Sequence, residues 1–444
     1  MIYKQYKLVL AQFYGFIGLI MIAVLSTSVK VEIDAILIWF LSVIFTIAIL
    51  FFVYNRMWVW FDGIFIILSP FYFFVSFLLY YFFGVNVFNV ENNIINTSFL
   101  YCVAVWCIVA SISLIRPHGI NIFLLNKQYN YDNNYNLFIP SCIAWLISLF
   151  FLYQSRNLSL NALGESTRLE LINSVSQSGW YLKYVVIAYF WILLDLKVVK
   201  KSLTNYSFVI YSIPVLLYFY TLMLVGSRRE IALSFIMAVL LSLYKAKFKI
   251  PLKVALFSIL FVSTIILFGI YRSDYNVESS IRLLNALGEF IYPISTLQYY
   301  SSIHYQTQFF GISYLQFIVN FIPKELFMGL KPDTLAIQFA KEVYLPSQEF
   351  MMGYAFTPFT EAFINYNYYG VIIFPAILCG YSYIMERLIG SNYFLYLVFL
   401  SQSINFQRSE FSSMIFELGM FFMAYICLRL SMQIVFLNSN KVFL

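Results

Sequence analysis

The arginines are the residues whose type and spacing carry the most chemistry. Arg228 and Arg229 form a pair in Gly226-Ser227-Arg228-Arg229-Glu230, Arg272 follows Tyr271, and Arg408 lies in a short polar interval between two apolar runs. Each sits at the end of a long apolar stretch. A guanidinium is a rigid five-donor fork that matches phosphate or carboxylate oxygens two at a time, which a lysine ammonium cannot do. One such arginine could simply reach for lipid headgroups; four at comparable positions point to a bound anionic group. Carboxylates accompany them. Glu361, close to the start of an apolar run, is the first candidate for a general base, and Glu289 in Gly288-Glu289-Phe290 is the second. Glu230 is expected to neutralise or orient Arg229, and Glu410 to do the same for Arg408. Glu417 falls inside the last apolar run, where facing lipid would cost about 2.5–3.5 kcal/mol, so it should face a cavity or a partner. Asp62 reads as half of a structural ion pair.

Other chemistries lack their residues. No GKS/T phosphate loop, HExxH, GxSxG or DxD pattern occurs in the segments assigned below to the outer side. The five cysteines all lie in apolar stretches without a CxxC, and the two histidines, His118 and His304, are far apart. No metal site and no cofactor is expected.

The elements that hold these residues are set by composition. Of 444 residues 62% are hydrophobic and 11% charged, far from the roughly 25% charged of soluble domains. The expected fold is an all-α polytopic membrane protein with about twelve transmembrane helices, at roughly 20 residues each. Apolar windows place them at 8–28, 35–53, 58–83, 98–115, 137–153, 180–196, 206–225, 231–244, 252–271, 369–385, 393–407 and 411–430. The first run exceeds the 7–15 apolar residues of a secretory core, so it reads as an uncleaved span. The third is long enough to tilt or kink at Pro70. The net charge of +7 therefore concerns the sides of a membrane rather than nucleic acid.

With the N-terminus placed in the cytoplasm, eleven lysines fall inside, among them Lys245, Lys247, Lys249 and Lys253, and five outside (Lys30, Lys183, Lys324, Lys331, Lys341). This satisfies the positive-inside rule and puts both termini in the cytoplasm. Arginine runs the other way. Arg156, Arg168, Arg228, Arg229, Arg272, Arg282 and Arg408 lie outside against four inside, so something other than topology must hold them there.

One segment leaves the hairpin rhythm. Between residues 1–271, carrying nine spans, and 369–444, carrying three, lies an external stretch of 272–368. Long loops of this kind are functional or disordered, and its wealth of Phe, Tyr, Ile and Leu argues against disorder. Residues 281–300 read as a helix and 314–326 as a second, interrupted at Pro323, with Ile318, Phe321, Ile322 and Leu326 at helical spacing against the interface. The segment holds five basic and eight acidic residues. A basic cavity under a carboxylate-bearing lid suits a ligand with an anionic anchor and a neutral polyhydroxyl body.

In this arrangement the chain resembles the bacterial O-antigen polymerases, the Wzy-type oligosaccharide repeat-unit polymerases. The resemblance rests on the span number and the large loop in the C-terminal half. Locally it rests on Gly226-Ser227-Arg228-Arg229, Phe321-Ile322-Pro323-Lys324 with Lys331-Pro332, and Thr360-Glu361-Ala362-Phe363 leading to Tyr369-Gly370-Val371. It implies a GT-C-like glycosyltransferase of the bacterial inner membrane, with 272–368 in the periplasm. Such an enzyme takes undecaprenyl-pyrophosphate-linked oligosaccharides as donor and acceptor, releases undecaprenyl pyrophosphate, and works beside a chain-length regulator. Glu361, Arg228 and Arg272 would then be catalytic, with Arg229, Arg408, Glu289, Arg282, Lys324 and Lys331 contacting substrate. Two other readings stay open: a lipid-linked oligosaccharide flippase, which should show two related halves joined on the cytoplasmic side, and an O-antigen ligase-like glycosyltransferase.

Overall fold

A computed structural model describes residues 2–27, 32–117, 136–155, 177–225, 229–248, 293–303, 310–322, 324–327, 331–343 and 356–439. Among them every regular element is helical and no strand occurs. Among the described residues seven helical stretches are long and apolar enough to cross a bilayer: Gln5–Ser26, Ala35–Tyr54, Phe61–Phe83, Asn92–Ile115, Asn205–Met223, Pro358–Ile389 and Phe411–Gln433. Phe138–Gln154 and Tyr393–Phe406 are shorter apolar helices. This is the architecture of an all-α membrane protein. The expected span 252–271 lies outside the described residues.

The chain divides into two compact units. The first comprises Met1–Leu125, Tyr275–Val319 and Pro332–Met414. It contains α1 (Ile2–Ser26), α2 (Ala35–Tyr54), α3 (Phe61–Phe83) and α4 (Asn92–Ile115). Asp34 starts α2 by accepting from the Leu37 N–H at 2.8 Å, the usual role of an aspartate N-cap. Gly84 ends α3 in the left-handed conformation, which glycine adopts without strain. Pro70 stands inside α3, which continues through it.

Helix α4 is the centre of this unit. Of its apolar window 78% is buried, against 28% for α1 and 33% for α2, whose Ile36, Trp39 and Leu50 are exposed. Trp106 of α4 is fully enclosed, meets Tyr14 and Phe45 edge-on with centroids 5.7 and 4.9 Å away, and donates to the Ile66 carbonyl at 2.9 Å. The same unit holds α9 (Leu335–Val343), α10 (Pro358–Tyr366), α11 (Gly370–Ile389), α12 (Tyr393–Phe406) and the first turn of α13 (Phe411–Ser439). Helix α11 packs on α4, and α12 on α3. One end of the unit is closed by Arg116, at the end of α4. Its guanidinium reaches Asp62 at the start of α3 and Glu386 in the last turn of α11, at 2.7 and 2.6 Å. Asp62 is the ion-pair residue that its position in an apolar run suggested, and the second carboxylate makes the pair a triad.

The second unit comprises Asn126–Asp274, Asn320–Lys331 and Ile415–Leu444. It is built on α5 (Phe138–Gln154), α6 (Gln177–Val198), α7 (Asn205–Val225), α8 (Arg229–Lys245) and the remainder of α13. Helix α6 packs against α5, α7 and α8. Its Trp191 stacks on Phe421 of α13 at 4.4 Å, and Tyr184 meets the same ring edge-on at 5.0 Å.

The external segment departs from expectation in detail. Residues 293–302 are helical, as expected for the end of the 281–300 helix, whose remainder lies outside the described residues. The second expected helix is a 3-10 turn (Ile312–Leu315), a short α-helix (Gln316–Asn320) and another 3-10 turn (Lys324–Phe327). Helices α9 and α10 arise within what read as loop. Thr357 caps α10 on the Thr360 N–H and Pro358 fills its first turn, a strong start signal that the hydropathy windows passed over.

Candidate functional site

In the first unit the chemistry gathers at Glu361. Its side chain is fully buried in the first turn of α10. One carboxylate oxygen accepts from the Ser313 hydroxyl at 2.8 Å and the other from the Phe411 N–H at 2.5 Å. Phe411 begins α13, so the Glu361 side chain takes up one of the free N–H groups of a helix N-terminus. Asn365, one turn further along α10, donates to the Ser313 hydroxyl at 2.7 Å and accepts from the Gly311 N–H at 2.9 Å. Thr360 exchanges a hydrogen bond with Thr296 at 2.8 Å. Glu361 and its neighbours thus tie two segments of the external stretch, at Thr296 and at Gly311–Ser313, and the start of α13 to one short helix.

Glu410 is the second buried carboxylate here. It accepts from the Ala336 N–H at 2.6 Å, at the start of α9, and from the Ser412 hydroxyl at 3.3 Å. Its expected duty was to Arg408; its oxygens instead serve the N-terminus of α9. Burial pushes its carboxyl above the usual carboxylate range, against the opposing pull of the Ala336 and Leu335 N–H groups. Arg408 is half-buried in the turn after α12, with Tyr72 within its electrostatic reach.

Beside this network lies a cavity of about 650 Å³ between the end of α1, the turn Asn367–Tyr369 and the start of α11. Ile22, Leu25 and Ile372 form its apolar side; Tyr366 and the exposed Tyr369 line it too, and the fully buried Asn365 forms part of its inner wall. Gly370 begins α11 where the Tyr101 hydroxyl and the Ala362 carbonyl leave no room for a Cβ, which accounts for the glycine in Tyr369-Gly370-Val371.

In the second unit the charges gather at the N-terminal ends of α6, α8 and α13. Arg229, the first residue of α8, is ion-paired with Glu417 of α13. Glu230 accepts instead from Lys183 of α6 at 3.0 Å, and Lys183 also lies over the Tyr184 ring at 5.1 Å. Glu230, expected to neutralise Arg229, stays within its electrostatic reach, while the direct ion pair of the guanidinium is with Glu417. Two cations and two anions therefore form one cluster at the mouth of an apolar bundle. The Arg229 side chain keeps 34% of its surface exposed while Glu417 keeps 7%.

The segment Asn320–Lys331 belongs to this unit. Tyr181 of α6 donates to the Asn320 carbonyl at 2.8 Å, and Phe321 packs on Phe416 at 5.1 Å. Gly419 admits the Phe321 ring where any Cβ would collide with it. Lys331 closes the segment by donating to the Asn320 and Ile322 carbonyls at 3.2 and 2.6 Å. Phe416, which meets the Phe321 ring, directly precedes Glu417, and Tyr181 lies two residues before Lys183, so Asn320 and Phe321 attach beside the charged cluster.

Of the sequence candidates, the structure brings Arg229 and Lys331 into the second unit and Glu361 and Arg408 into the first. Lys324 lies in the 3-10 turn of the second unit. Arg228, Arg272, Arg282 and Glu289 lie outside the described residues. Lys183, Ser313 and Asn365 were not anticipated. Asn365 follows Glu361 at helical i+4 spacing, a signal that needed α10 to be recognised first; Lys183 read only as a topology marker. Among the described residues no group of three His, Cys, Asp or Glu could hold a metal ion. Comparison of the chain with protein-family models, curated proteins and solved structures gave no match.

Proposed function

We propose that this chain is a metal-independent glycosyltransferase of the repeat-unit polymerase kind. It would transfer a growing glycan from undecaprenyl pyrophosphate to a lipid-linked repeat unit on the periplasmic face of the bacterial inner membrane. The reading includes about twelve spans in a GT-C-like arrangement, both termini cytoplasmic, and a chain-length regulator as partner. The observation that carries it is the Arg229–Glu417 pair: a partly exposed guanidinium held by a buried carboxylate in an apolar bundle, with Asn320 tied to the neighbouring helix through Tyr181. Pyrophosphate gains charge as it leaves, so an arginine fork oriented beforehand stabilises the transition state more than the ground state. Glu417 supplies that orientation, and Lys183, tethered to Glu230, adds a second cation. Arg228 and Arg272 are proposed to complete the anion site, and Arg408, Arg282, Lys324, Lys331 and Glu289 to contact the glycan or its phosphates.

Glu361 is proposed as the base that takes the acceptor's proton, with Ser313 its hydroxyl neighbour. Because the carboxylate is enclosed, that role requires its contact with Phe411 to open when substrate is bound. The lipopolysaccharide gel ladder of a deletion strain tests the function. A single repeat unit on the core supports a polymerase; none at all supports the flippase or ligase. A charge-balanced cluster inside a bundle also suits a flippase, which is why that reading is kept as second.

A further inference from the structure

We infer that the cavity between the end of α1, the turn Asn367–Tyr369 and the start of α11 receives the isoprenoid chain of the lipid carrier. The inference rests on the proposed function for the identity of the lipid, and on geometry for the place. The volume of about 650 Å³ lies within the range of about 300–1,000 Å³ of small-molecule sites. Ile22 and Leu25 come from the last turns of α1 and Ile372 from the first turn of α11, both of which belong to stretches able to cross a bilayer. Ile372 is half exposed, so the mouth opens on the surface that meets hydrocarbon.

Among the described residues no charged side chain lines it, so a chain is a better fit to these walls than a phosphate. What separates a specific lipid from the surrounding bilayer is the inner wall. Asn365 faces the cavity and also bonds the Ser313 hydroxyl that donates to Glu361. A chain seated against Ile22 and Ile372 therefore meets the hydrogen-bond network of the proposed base, a connection that bulk lipid has no use for.

The test uses the full chain in phosphatidylglycerol nanodiscs and a diazirine-bearing polyprenyl phosphate as probe. Crosslinks are expected in 22–26 and 366–373, displaced by undecaprenyl phosphate but not by a tenfold excess of phosphatidylglycerol. Ile372→Trp should cut labelling about tenfold. So should Ile372→Cys alkylated with a bulky maleimide after purification, read against equally treated wild type, whose exposed Cys142 and Cys427 also react. Equal displacement by the phospholipid, labelling elsewhere, or indifference to both variants overturns the inference. Labelling of the cavity in a protein that forms no glycosidic bond keeps the site and removes the polymerase; polymerisation without labelling does the reverse.

Discussion

Removing the Arg116 side chain should be among the most damaging single changes in the first unit. The guanidinium makes four N–H contacts, at 2.6–3.1 Å, to the carboxylates of Asp62 and Glu386. Both carboxylates are fully buried and the arginine is 7% exposed. In Arg116→Met two buried anions would face each other with no cation between them, and breaking a buried pair in this way costs about 3–5 kcal/mol. At about 2–4 °C per kcal/mol, the melting temperature should fall by roughly 6–20 °C. Arg116→Lys keeps the charge, but one ammonium cannot bridge both carboxylates with paired contacts. Losing one charge-assisted bond at about 1.5–3 kcal/mol gives an intermediate drop. The triple variant Arg116→Met, Asp62→Asn, Glu386→Gln removes the stranded charges and should recover most of the loss. Fluorescence-detected size-exclusion after heating of the detergent-solubilised protein reads all three. An Arg116→Met protein melting within 2 °C of wild type, or a triple variant no better than the single, would refute the reasoning.

Arg229→Lys should preserve membrane abundance and abolish polymer, because the charge beside Glu417 remains while the two-pronged fork is lost. Arg229→Ala should lower abundance as well, and Arg229→Ala with Glu417→Ala should restore abundance but not polymer; immunoblots and gel ladders of the same strains decide it. Glu361→Gln is expected to insert at near-normal level yet lose polymerisation by about 10²–10⁴-fold, the usual worth of a general base. Long chains at normal abundance would eliminate Glu361 as base. For Glu410 the sign follows from its raised pKa. The folded state holds the proton to higher pH than the unfolded chain does, so stability falls as pH rises from the ordinary carboxylate range through the raised one. Glu410→Gln should flatten that part of a melting-temperature profile.

The sequence made much of this legible because the bilayer reduces the problem to runs of apolar residues. The expected spans 35–53, 206–225 and 411–430 each fall within one helix, while α4 begins at Asn92 rather than at 98, since its polar first turn carries no hydropathy signal. Intramembrane charges were legible for the same reason: Asp62 and Glu417 are too costly to leave unpaired, and both are paired. Identifying the partners required geometry. Glu230 follows Arg229 directly in the chain, yet successive helical residues point about 100° apart, and the partners come from α6 and α13. The Ser313–Glu361–Phe411 connection spans about a hundred residues of sequence and left no local trace beyond the Thr357-Pro358 start of α10.

The most direct test is reconstitution of the purified protein in proteoliposomes with undecaprenyl-pyrophosphate-linked repeat units presented on the face bearing residues 272–368. The account predicts a ladder of glycans lengthening by whole repeat units, with one undecaprenyl pyrophosphate released per bond formed, and no ladder from Arg229→Lys. Transfer of the intact lipid-linked unit to the opposite leaflet, with no new glycosidic bond and no pyrophosphate carrier released, would contradict it.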